Sequence, residues 1–124
     1  MKARESALRL KRFEADEKAR KVAELEHMIR EFETMAADLD RQIAAEETRT
    51  GVKDPAHFAY STFAKSAAQR RDNLRASADG LRAKLEAAQK ERDEALEQVA
   101  RADTAGSDLR GRRRVDRPST LAVR

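Results

Sequence analysis

Only a few residues in this chain are of types that do chemistry, and their spacing excludes most reactions. There are two histidines, His27 and His57, and no cysteine. No H-x-x-x-H pair and no suitably spaced carboxylate accompanies either histidine, so a transition-metal site is not expected. His27 lies five residues after Val22, on what would be the outer face of a helix, where a solvated imidazole is the ordinary case. The paired carboxylates Glu46 and Glu47 fall on a helix surface with nothing to enclose them. No glycine-rich phosphate loop is present. The reading is therefore a non-enzymatic protein without cofactor or metal. Arg110-Gly111-Arg112-Arg113-Arg114 carries enough charge to attract nucleic-acid phosphates. No aromatic is interleaved there to stack on bases, which weighs against nucleic-acid recognition.

Binding chemistry is more visible than catalysis. Phe58-Ala59-Tyr60-Ser61-Thr62-Phe63 holds three of the five aromatic residues in six positions. Such a cluster either closes a bend against Leu39 and Ile43 or offers a docking patch. With Arg70 and Arg71 nearby in sequence, it is one candidate partner surface. The second is the start of the chain. Residues 1–12 hold Lys2, Arg4, Arg9, Lys11 and Arg12 against Glu5, a net +4. Residues 104–124 carry a further +4, leaving 13–103 at −4 within a total of +4. The basicity sits at the two chain ends. Leu10 and Phe13 fall among the first set of cations and off the apolar seam described next.

The elements that must carry these residues are helices. Charged residues make up 40% of the 124 positions and aromatics 4%, the composition of long helices rather than of a compact core. From Val22 the apolar residues step alternately by three and four. That places Leu8, Ala15, Val22, Ile29, Ala36 and Ile43 at heptad position a, and Leu25, Phe32 and Leu39 at d. Lys11 and Lys18 occupy the earlier d positions and weaken the seam there. Met28 and Met35 flank it at g. A first helix is expected over about 2–48, some 70 Å long at ~1.5 Å per residue. Thr50-Gly51-Val52-Lys53-Asp54-Pro55 breaks it, with Gly51 as a left-handed stop and Asp54 and Ser61 as possible caps. After a bend over about 49–60, a second helix is expected over about 61–102. Its seam reads Phe63, Ala67, Arg70, Leu74, Ala78, Leu81, Leu85, Ala88, Ala95, Val99 and Ala102, with slips near 74–78 and 88–95. The fold class is all-α, a long two-helix antiparallel coiled-coil hairpin over 1–103. Gly106, Gly111 and Pro118 mark 104–124 as a disordered Arg-rich tail. No apolar run approaches the ~18 residues of a membrane span and no secretory leader is visible, so a cytoplasmic location is expected.

Two stretches carry a specific resemblance. Met1-Lys2-Ala3-Arg4-Glu5-Ser6-Ala7-Leu8-Arg9-Leu10-Lys11-Arg12-Phe13, with Asp16-Glu17-Lys18-Ala19-Arg20-Lys21-Val22-Ala23, resembles the opening of the flagellar export protein FliJ of alphaproteobacteria. His57-Phe58-Ala59-Tyr60-Ser61-Thr62-Phe63-Ala64-Lys65, followed by Gln69-Arg70-Arg71-Asp72-Asn73-Leu74, is similar to the same family. The resemblance covers about residues 1–102 and excludes the tail. It implies a central stalk of the type III protein export apparatus, like the stalk subunit of rotary ATPases. The implied partners are the flagellar export ATPase ring, the export gate protein and export chaperones, at the cytoplasmic face of the inner membrane at the flagellar base. The terminal end (Lys2, Arg4, Arg9, Leu10, Lys11, Arg12, Phe13) would enter the ring, and the bend (Phe58, Tyr60, Phe63, Arg70, Arg71) would meet the gate. Enterobacterial members carry tyrosines in the first helix for gate contact. This chain has none there, and those positions do not transfer. The stalk of a virulence-type secretion system and a nucleic-acid-binding coiled coil are the alternatives.

Overall fold

A computed structural model describes the backbone of residues 2–122 and the side chains of residues 2–107. The chain forms two helices, α1 (Lys2–Thr50) and α2 (Thr62–Ala122), joined by a bend, in an all-α antiparallel hairpin. Contacts group into two compact units, Met1–Val22 with Ala88–Arg124, and Ala23–Ala87.

α1 ends where the sequence dictates. Gly51 has φ +76° and its N–H donates to the Glu47 carbonyl at 2.9 Å, the left-handed stop in its single-bond form. The Val52 N–H is taken by the Thr50 hydroxyl at 3.2 Å, so it does not continue the helix. The Asp54 carboxylate accepts the Ala56 N–H at 2.9 Å, making a turn rather than a helix start. Ser61 is the cap that begins α2: its hydroxyl accepts the Ala64 N–H at 3.2 Å, and its carbonyl takes the Lys65 N–H at 3.0 Å.

The α1 seam follows the heptads. Ala15, Val22, Leu25, Ile29, Ala36, Leu39 and Ile43 are buried, while Lys11 is half-buried and Lys18 exposed. The α2 seam differs from the expected one at three places. Ala64 is fully buried and Phe63 is 54% exposed. Arg71, not Arg70, lies half-buried in the seam, and Arg92 fills the apparent gap between Ala88 and Ala95. With these corrections the α2 seam steps by three and four without a slip from Ala64 to Gly106. Arginine fits such a place because its aliphatic stem packs while its head reaches a carboxylate.

α2 also passes its expected end near Ala102. Asp103 to Ser107 continue the helix, with Gly106 half-buried at a seam position. A mid-helix glycine costs only about 1 kcal/mol, too little to stop an established helix. The backbone of the expected disordered tail stays helical to Ala122, and the side chains beyond Ser107 lie outside those described.

Candidate partner-binding surfaces

In the unit of the bend, the aromatic cluster divides. Tyr60 is buried against Leu39, Ile43, Ala64 and Ala67, with Val52, Ala68 and Leu74 packed around them. Its ring takes the space expected for Phe63, which is why the small Ala64 suffices at the seam. The Tyr60 hydroxyl donates to Glu47 Oε2 at 3.0 Å, and the neighbouring Ser61 hydroxyl donates to Glu46 Oε1 at 2.9 Å. Burial and the Glu47 carboxylate together hold the phenol above its ordinary range. Glu46, bonded by Arg49 and Ser61, is held below the usual carboxylate range. Tyr60 is thus part of the bend's own core and not a free contact residue. Phe58 is the opposite case. It is 96% exposed and stacks on His57 with ring centroids 4.7 Å apart. The Ala59 N–H donates to His57 Nδ1 at 3.0 Å, which fixes the imidazole under the ring. Phe58, Phe63 and Arg70 remain on the surface.

Arg71 belongs to a cross-helix clasp. Its guanidinium donates to Asp40 Oδ1 at 2.9 Å and to Asp72 Oδ1 at 3.0 Å, and Arg75 bonds the other Asp40 oxygen. The hydrogen bond from Arg71, with the charge of Arg75, holds the Asp40 carboxyl below its ordinary value against partial burial. Two turns away, Arg82 bonds Glu33 from the opposite helix. Glu26, Glu33, Asp40 and Glu47 recur every seven residues at position e of α1, facing Arg75 and Arg82 at e of α2. This acidic column is a signal visible in the sequence that a search for apolar residues passes over. Between the two ion pairs lies a shallow notch lined by Ala36, Ala37 and Ala78.

In the unit of the chain start, Lys2, Arg4 and Arg9 are exposed, and Leu10 and Phe13 are 57% and 58% exposed. Lys11 is partly withdrawn into the seam. Arg12 faces Asp103 at 3.8 Å and Lys18 meets Glu91 at 3.2 Å. These pairs place the basic start beside residues near 103. Leu10 and Phe13 stand three residues apart on one outer face of α1, among the cations.

His27 is exposed and, against the expectation that no carboxylate is spaced to partner it, meets Glu31 at 3.0 Å four residues on along its own helix. Among the described residues, no group of three or more histidines and carboxylates is arranged to hold a metal ion, and no helix is long and apolar enough to cross a membrane. Comparisons of the chain with protein-family models, curated proteins and solved structures each return no match.

Proposed function

We propose that this protein is a non-enzymatic stalk of a flagellar type III export apparatus, binding the export ATPase ring and linking it to the export gate and chaperones. The observation that carries the reading is the composition of the chain start. Exposed Leu10 and Phe13 lie beside exposed Arg9, Lys2 and Arg4, with only Glu5 and Asp103 to offset the charge. Like charges crowded at one end repel each other in the free protein, each pair weakly in water. The same arrangement gains on entering an acidic, partly apolar lumen. The resemblance of residues 1–23 and 57–74 to FliJ supports the identity of that lumen. Outward Phe58 and Phe63 at the bend are suited to the second contact, with the gate.

The test is co-purification with the flagellar export ATPase by size exclusion, run beside a DNA gel shift. A salt-sensitive complex with the ATPase is expected, because exposed charges are screened over about 8 Å at physiological salt. Reversing Arg9→Glu and Arg12→Glu together should slow association. Unchanged ATPase binding and stimulation after the double reversal refutes the reading, as does binding to DNA alone.

A further inference from the structure

The two flanks of the helix pair in the unit Ala23–Ala87 are built differently. The flank at position e is closed by the clasp of Asp40 with Arg71 and Arg75 and by the pair Glu33–Arg82. The flank at position g has no cross-helix ion pair among the described residues. It carries every exposed large apolar residue of this unit except Phe58: Met28 at 41%, Met35 at 48% and, where α2 leaves the bend, Phe63 at 54%. The α2 side of that flank is small, with Ser77 and Gly80, and no atom lies within 4 Å of a Cβ added at Gly80. The borders carry opposite charge. Glu31 and Asp38 edge α1 and bond only residues of their own helix, His27 and Arg41. Arg70 and Lys84 edge α2 and pair with no carboxylate among the described residues.

We propose that this g flank is a self-association surface that takes a second copy of the same chain. The face is self-complementary. A two-fold axis parallel to the helices lays α1 of one copy on α2 of the other, antiparallel and with the two bends at the same end. The register set by Asp40–Arg75 and Glu33–Arg82 puts Met35 level with Gly80 and Met28 level with Ala87. Each methionine then meets a small residue across the axis. Glu31 comes level with Lys84, so unlike charges face each other on both sides of the axis. The alternative axis, perpendicular to the helices, lays α1 on α1 and sets the acidic border against itself. Charge therefore selects both the occupant and its orientation. Few large side chains are buried, which sets the affinity in the micromolar range rather than the nanomolar. The inference does not rest on the proposed stalk function: it uses none of the residues of the chain start, and its test turns on Met28, Met35, Glu31 and Lys84 rather than on Phe63 of the proposed gate contact.

Sedimentation equilibrium of the full chain, from low micromolar to millimolar concentration, tests it. A reversible monomer–dimer equilibrium is expected. Met28→Glu with Met35→Glu should leave a monomer of unchanged helicity by circular dichroism. Glu31→Arg should weaken association by about tenfold, because symmetry counts the broken pair twice. Combining Glu31→Arg with Lys84→Glu should recover most of the loss, since the swapped charges again meet across the axis. A monomer at every concentration overturns the proposal. So does a dimer that tolerates the methionine changes, or a double reversal no better than Glu31→Arg alone.

Discussion

Asp40 and Tyr60 illustrate how a single side chain sets the behaviour of the hairpin. Asp40 gathers two arginines from the opposite helix, so its carboxylate is favoured in the folded state. A carboxyl held below its ordinary value adds stability above its unfolded pKa, near 3.8, and loses it as pH falls through the folded value. Urea midpoints should be flat just above pH 4 and fall below it, and Asp40→Asn should reduce that acid slope. At neutral pH, Asp40→Ala should cost about 1–2 kcal/mol after discounting for solvent screening, because it leaves the half-buried Arg71 without its cross-helix partner. Tyr60 works in the opposite sense. Its phenol is held neutral, so the stability it adds is present below pH 10.0 and lost as pH rises through the raised folded value. Tyr60→Phe should remove this alkaline limb while keeping the ring in place. At Gly51 the constraint is the backbone: φ of +76° strains any residue with a Cβ, although no atom stands in its way. Gly51→Ala should lower unfolding free energy by about 1–2 kcal/mol.

At the scale of the element, the two helices were unequally legible. α1 announces its seam because Val22, Leu25, Ile29, Leu39 and Ile43 are both apolar and buried. Its end at Gly51 and the cap at Ser61 were legible for the same reason: each residue does what its chemistry favours. α2 hides its seam. Arg71 and Arg92 occupy seam positions that apolarity cannot flag, and Phe63, which apolarity does flag, faces outward. Strict seven-residue counting from Ala67 through Leu74, Leu81, Ala88, Ala95 and Ala102 would have found the true register. The bend cluster was legible as a group, but its division was not, because the burial of Tyr60 depends on Glu47 and Ala64. The corrected seam makes a sharp prediction. Ala64→Leu should destabilise by about 1–3 kcal/mol through overpacking, whereas Phe63→Ala should change the monomer's stability by no more than about 0.5 kcal/mol. Chemical denaturation at dilute concentration separates the two.

For the whole molecule, stability is limited by what the seam can bury. Among the described residues no large side chain is fully buried, and alanine fills six of the buried positions. Small side chains remove little apolar area from water, at about 25 cal/mol per Å². The melting midpoint should therefore lie well below the ~90 °C that marks hyperstability, with a mostly helical circular dichroism spectrum at the start. The stitches at the bend carry a consequence for time rather than for stability. Tyr60–Glu47 and Ser61–Glu46 join residues 13 and 15 apart, whereas Lys18–Glu91 joins residues 73 apart. Closing the short loops costs less entropy, so the bend is where the chain first finds its partner. In a chevron experiment Tyr60→Phe should slow folding, while Lys18→Ala should leave the folding limb unchanged and speed unfolding. The hairpin would then close like a zip whose slider starts at Gly51–Ser61.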